Sequence, residues 1–173
     1  NTLFFFFFNS TDAVSTIWES TDGGANWAST TSFFLFCWTG TQGWYDLSAA
    51  INPADPNNCI VGGIDCYETT NGGTTWTKIS NWVGTTGQYV HADQHDIQWW
   101  DGGTKLLFGC DGGVHYSSDG GTTIRDRNVG LRIKQFYSCA IHPVTTDYFI
   151  GGAQDNGMHQ FSNPGLSSSV EFA

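Results

Sequence analysis

The chain has 173 residues, enough for one sizeable core, and carries 16 acidic side chains against six basic ones for a net charge of −10. So acidic a balance argues against nucleic acid and anionic membrane surfaces as partners, and no stretch approaches the roughly 20 apolar residues of a membrane span. With 22 glycines, eight tryptophans, 13 phenylalanines and only 13% charged residues, the composition suits an all-β protein dense in turns rather than long helices.

The first residue is Asn1, and no basic segment precedes an apolar one, which reads as a processed chain or a piece of a longer one. Leu3 to Phe8, with five consecutive phenylalanines, predicts a fully buried strand, because exposed it would be an aggregation hazard. Asn9 to Asp12 turns the chain, Val14 to Glu19 is the next strand, and Ala28 to Trp38 is an outer strand and its exit. Leu47 to Ile51, Cys59 to Gly63, Tyr67 to Thr69 and Trp76 to Trp82 follow, with a Pro/Asn turn over Asn52 to Asn58. The third unit runs His91 to Trp100, Lys105 to Gly109 and Val114 to Ser117. The fourth runs Gln135 to Ile141, Tyr148 to Gly152 and Met158 to Phe161.

One pattern punctuates these strands. Ser20-Thr21-Asp22-Gly23-Gly24-Ala25-Asn26-Trp27 returns at Thr69-Thr70-Asn71-Gly72-Gly73-Thr74-Thr75-Trp76, 49 residues on, and at Ser117-Ser118-Asp119-Gly120-Gly121-Thr122-Thr123-Ile124, 48 further. A period of this size marks a repeat architecture. Gly-Gly supplies positive φ for a tight turn, the Asp or Asn accepts backbone N–H groups within it, and the Trp folds under the hairpin with its N–H free to reach a carbonyl.

The pattern resembles the Asp-box (bacterial neuraminidase) repeat of sialidases, xyloglucan-cleaving glycosidases and sortilin-type receptors. The resemblance implies an all-β fold, a β-propeller of four-stranded antiparallel blades, with each Asp-box between the third and fourth strands, away from the ligand face. Ser20, Asp22, Gly24, Trp27, Thr69, Asn71, Gly73, Trp76, Ser117, Asp119 and Gly121 are then structural. Asn71 for Asp and Ile124 for Trp depart from the pattern. The expected division is a blade lacking its first strand over residues 1–43, whole blades over 44–88 and 89–134, and an incomplete blade over 135–173. Propellers close with ~4–8 blades, so this is a partial ring of about four. An open partial ring needs the remainder of its own propeller or a protein partner to cover its end faces. A closed four-bladed ring, completed by Leu166 to Phe172, is the alternative arrangement.

Two groups of polar residues fall at the end of the blades opposite the boxes. One is an acid recurring once per unit: Asp65, Asp111 and Asp155. Each is either an Asx-turn residue serving its own hairpin or a ligand contact. The other is His91-Ala92-Asp93-Gln94-His95-Asp96. On a strand, His91, Asp93 and His95 share a face. Aligning on Ile51, Ile97 and Ile141 sets Asp93 against Leu47 and Tyr137, and His95 against Ala49 and Cys139. Ionisable groups in apolar positions must be paired, metal-bound or at a solvent-filled channel. His91, Asp93 and His95 are therefore candidate ligands of a divalent metal, with Asp93 the candidate catalytic acid or base; the other reading is a buried hydrogen-bonded network. Among the five cysteines there is no CxxC pair, and a disulfide between Cys66 and Cys110 is one arrangement their matching positions allow.

Tyr89 to His95, Phe108 to Val114, and Gln135-Phe136-Tyr137 followed by Gly151 to Gly157 resemble, in order and spacing, large secreted bacterial Asp-box propellers, many with a type IX sorting domain. That likeness implies export and residence at the bacterial cell surface. A sialidase needs an arginine cluster on the ligand face, but Arg125, Arg127 and Arg132 follow the third box, at the other end. A xyloglucanase-like glycoside hydrolase needs two facing carboxylates, and a partner for Asp93 would come from absent blades. The favoured expectation is a glycan- or protein-binding adhesion module. Trp44, Tyr45, Trp99 and Trp100 are then either sugar-stacking groups or packing between blades.

Overall fold

A computed structural model describes residues 2–8, 14–30, 38–84, 87–131, 133–154, 156–161 and 170–172. They contain no α-helix. Contacts divide the chain into two units, residues 1–129 and 130–173.

The first unit holds three antiparallel sheets in chain order. The first is β1 (Leu3–Phe8), β2 (Val14–Ser20) and β3 (Ala28–Thr30). The second is β4 (Ser48–Asn52), β5 (Asp55–Gly62), β6 (Cys66–Thr69) and β7 (Thr77–Lys78). The third is β8 (Gln94–Trp100), β9 (Lys105–Cys110), β10 (Gly113–Ser117) and β11 (Arg125–Asp126), with a 3-10 turn at Asp101–Gly103. In the second unit β12 (Phe136–Ile141), β13 (Phe149–Ala153), β14 (Met158–Phe161) and β15 (Val170–Phe172) form one further sheet. Phe149 stacks on Phe161 there, with ring centroids 4.5 Å apart. Consecutive strands pair throughout, so each sheet is a meander of local contacts, and the sheets have the build of partial β-propeller blades.

Two apolar layers join the sheets of the first unit. Ile17, Trp38, Cys59 and Val61, with Phe4 and Phe6 against them, fill the space between the first and second. Ile60, Cys66, Ile97, Leu106, Phe108 and Ile124 fill that between the second and third. The phenylalanine run does form a strand, but it is not buried on both faces as expected. Successive side chains on a strand point opposite ways, and only the face carrying Phe4 and Phe6 meets another sheet. Leu3, Phe5 and Phe7 stay exposed, and Phe5 and Phe7 share a groove with Trp18 and Trp27.

The three repeated turns have one geometry. Ser20 Oγ donates to Asp22 (2.8 Å) and accepts the Gly24 N–H (2.8 Å), while Asp22 accepts the Asn26 N–H (2.9 Å). Thr69, Asn71 and Gly73 repeat these bonds, as do Ser117, Asp119 and Gly121. Gly24, Gly73 and Gly121 have φ of 96°, 82° and 94°, where a side chain would be strained. Trp27 and Trp76 each donate their indole N–H to the second glycine's carbonyl, at 3.0 and 3.1 Å. Trp76 packs into the layer between the first two sheets, whereas Trp27 remains exposed.

Cys59, Cys66, Cys110 and Cys139 are free thiols, so the Cys66–Cys110 disulfide does not form. Cys66 is fully buried, and burial pushes its thiol up to about 12, away from the reactive thiolate. Cys37 lies outside the described residues.

Thr69 is buried with its hydroxyl holding the Gly73 N–H. Thr69→Val should leave that donor unsatisfied and lower stability by ~1–3 kcal/mol in equilibrium urea unfolding, whereas Thr69→Ser should lose much less.

Candidate functional site

The register fixes two ends for the first unit. Turns 70–76 and 118–124 lie at the end where β4 meets β5 and β8 meets β9: Gly72 bonds to Asn57, and Gly120 to Thr104. At the other end are the β5–β6 and β9–β10 turns and the long connections entering β4 and β8. Backbone bonds tie the turns and connections of that second end together, within the third sheet and between neighbouring sheets. Ile64 N–H reaches Trp38 O (2.8 Å), Gln94 N–H reaches Gly63 O (3.0 Å), and Asp111 N–H reaches Asp93 O (3.3 Å).

The predicted strand over His91 to Trp100 starts later, at Gln94. Asp93 has φ 65°, in the left-handed region that Asp tolerates because its side chain bonds locally, so the alternation of faces is broken there. The pairing also slips between Gln94 and Asp96, leaving His95 as the extra residue of a bulge. His91, Asp93 and His95 consequently do not share a face. Among the described residues no group of three or more His, Cys, Asp or Glu side chains is arranged to hold a metal ion.

Each member of the motif has its own partner. The His91 ring donates from Nδ1 to Ala92 O (3.0 Å) and lies where a Cβ on Gly112 would overlap it. Its backbone N–H points at Nε2 of His115 (3.4 Å), a buried imidazole whose pKa burial holds below the ordinary value. Asp93 accepts a hydrogen bond from the Gln42 amide. His95 Nε2 pairs with Asp111 Oδ1 at 2.7 Å. The Asp111 carboxylate also accepts the Tyr45 hydroxyl at 2.9 Å, and the Tyr45 and His95 rings meet edge to face at 4.9 Å. Asp111 thus joins two elements instead of capping its own hairpin.

Asp65 likewise reaches outward, accepting the Trp82 N–H (2.9 Å) and pairing with Lys78 (2.7 Å). Asp155 lies outside the described residues.

Three residues that sequence reasoning did not place in the polar site complete the cluster: Gln42, Tyr45 and Asp46, in the turn entering β4. Tyr45 and Asp46 N–H groups both close onto Gln42 O, at 2.7 and 3.0 Å. Gln42 then spans two acids, Asp93 and Asp46, the latter at 3.2 Å. Asp46 is fully buried, and desolvation, aided by the negative charge of Asp93, pushes its pKa up to about 7. The available signal was that Asp46 is the single charged residue between Asp22 and Asp55. Trp44, beside it, is 69% exposed and tilts against Tyr45 at 5.5 Å. Trp99 packs against the core and donates to Ala50 O, so it belongs to packing. Trp100 is exposed beside Tyr116.

The sequence matches no protein-family model and no curated protein. Among solved structures it is similar to the GH74 xyloglucanase from Xanthomonas campestris, at TM-score 0.52 and 13% identity over 92% of this chain and 26% of that one. The fold is that of β-propeller blades. YCF48 bound to D1 peptide gives TM-score 0.45 and 15% identity over 90% of this chain and 46% of that one. An ancestral GH74 enzyme gives 0.45 and 17% over 91% and 21%. This chain spans less than half the length of each. At these identities the xyloglucanase likeness concerns fold alone.

If Asp111 couples Tyr45 to His95, the residues should not behave independently. A double-mutant cycle of Tyr45→Phe and Asp111→Ala, read by chemical denaturation, should give a coupling of ~0.5–1.5 kcal/mol; additive effects would mean the bond contributes nothing in solution.

Proposed function

We propose that this chain is a binding or adhesion module of an Asp-box propeller, displayed at the bacterial surface, whose contact surface is the end opposite the boxes. The observation that carries the reading is Trp44: a large aromatic, 69% exposed, beside Tyr45, which in turn touches the Asp111–His95 pair. An exposed indole beside a tyrosine that is itself bonded to a carboxylate suits a sugar, because the ring faces stack on C–H surfaces while hydroxyls donate to the acid. Trp82, Val83 and Tyr89, in the connection entering β8, add exposed apolar surface from the same end. The recurring turns support the Asp-box affiliation, since their bonds repeat three times at positions far from this cluster. Surface display rests on the sequence resemblance to secreted bacterial propellers.

A glycoside hydrolase with its second carboxylate on other blades is less well supported. Asp93, its candidate carboxylate, is already engaged by Gln42 and lies against Asp46. The groove of Phe5, Phe7, Trp18 and Trp27 fits the same picture of a partial ring. These side chains line the outer face of the first sheet, and each later sheet of the first unit meets its predecessor through such an apolar face. A further sheet, from the remainder of the propeller or from a protein partner, would cover it.

Binding should be measured on an array of neutral oligosaccharides, then by calorimetry for those retained. Trp44→Ala should weaken binding by about 1–3 kcal/mol, as expected for loss of one stacking aromatic, while leaving the unfolding midpoint unchanged because the side chain is exposed. Retention of no oligosaccharide by the wild-type chain, or equal affinity in the variant, would count against the glycan reading.

A further inference from the structure

Asp46 is unusual among the acids of this chain. It is fully buried at the entry to β4, and its Oδ1 has no hydrogen-bond partner. An ionised carboxylate so placed is costly, because one oxygen is desolvated with nothing in return. Its other oxygen meets Gln42 Nε2, whose second N–H goes to Asp93. Gln42 Nε2 therefore stands between the two carboxyl groups, with one oxygen of each bonded to it. Two carboxylates sharing one amide donor are short of donors and repel; one acid and one carboxylate are complementary.

We infer that Asp46 and Asp93 hold a single proton between them, and that this shared proton latches the Gln42–Asp46 turn, with Trp44 and Tyr45 on it, to the backbone entering β8. Asp46 is the donor and Asp93 the acceptor, since Asp46 is the fully buried member. Losing the proton leaves two negative charges around one amide, and the turn is pushed away from Asp93. No cation opposes this among the described contacts. Lys78 is committed to Asp65, and His95 to Asp111. The other titratable groups nearby are His91, whose Nδ1 is turned to Ala92 O, Tyr45, bound to Asp111, and Cys110, which burial keeps as a thiol.

The direction of the pH effect follows. Burial and the Asp93 charge raise the Asp46 pKa from 3.8 to about 7. A group raised on folding contributes stability that is fully present below its unfolded pKa and lost as pH climbs to and through its folded pKa, so the latch weakens from about pH 4 and has lost its full contribution just above pH 7. Its consequence for ligand contact rests on the reading of Trp44 and Tyr45 as the binding platform, whereas its test needs no ligand.

The test uses the full chain labelled with carboxyl-13C aspartate, titrated by NMR, together with amide exchange at Tyr45 and Asp46, whose N–H groups close the turn. One aspartate should titrate near pH 7, vanish in Asp46→Asn, and move toward the ordinary carboxylate range in Asp93→Asn. Exchange at the two amides, corrected for its intrinsic pH dependence, should rise about tenfold from about pH 6 to pH 8 in the wild type and stay level in Asp46→Asn. If all aspartates titrate in the ordinary range, or exchange rises equally in both chains, the latch is wrong. Should the variants not fold, the wild-type titration decides alone. Failure of glycan binding with a titration near pH 7 would overturn the platform and leave the latch standing.

Discussion

The close approach of neighbouring sheets at Gly62 and Gly63 is the constraint on which the first unit depends. A Cβ on Gly63 would sit 2.7 Å from Trp38 O, and one on Gly62 would sit 2.7–2.8 Å from Gln94 and Ile97 side-chain atoms. Both distances are below van der Waals contact, so neither position admits a side chain without moving backbone or core. That approach lets Gly63 O accept the Gln94 N–H and lets Ile64 reach Trp38 O. Buried backbone groups at the sheet ends are thereby satisfied by the next sheet instead of by water. The two apolar layers follow from the same spacing, since Ile60 and Val61, adjacent on β5, point into opposite layers.

With the sheets fixed, the two ends can differ in chemistry. At the repeated turns the recurring side chains serve the turn itself: hydroxyl to carboxylate, carboxylate to backbone, indole to carbonyl. The opposite end receives the connections of variable length, and its polar groups bond across elements. Tyr45 to Asp111 and Gln42 to Asp93 join residues 66 and 51 positions apart. Such bonds position side chains as well as stabilise the chain, which is the property a recognition surface requires.

The aspartates show how far environment alone separates one residue type. Asp22 is exposed and surrounded by donors, chiefly the Asn26 backbone and side-chain amides, and its pKa falls to about 2. Asp46 is buried beside a second acid with one shared donor, and rises to about 7. Hydrogen bonding to the charged form dominates in the first case and desolvation in the second. The first holds a turn at any ordinary pH, while the second is poised to change charge near neutrality.

The sequence by itself determined the all-β class, the repeating unit and the turn geometry, because each rests on local chemistry: glycines for positive φ, hydroxyl and Asp or Asn side chains for nearby N–H groups, and strands of period two. It also singled out Asp93, His95 and Asp111. Tertiary structure decided what those residues do. A left-handed Asp93 and a bulge at His95 broke the alternation that would have gathered His91, Asp93 and His95 on one face, and neither leaves a mark in hydrophobic periodicity. The phenylalanine run reads as buried from composition, yet only one of its faces meets a sheet of the first unit. Gln42 and Asp46 belong to the site solely because the β4 entry turn is brought against residues about 50 positions later, a distance in sequence that no local pattern can encode.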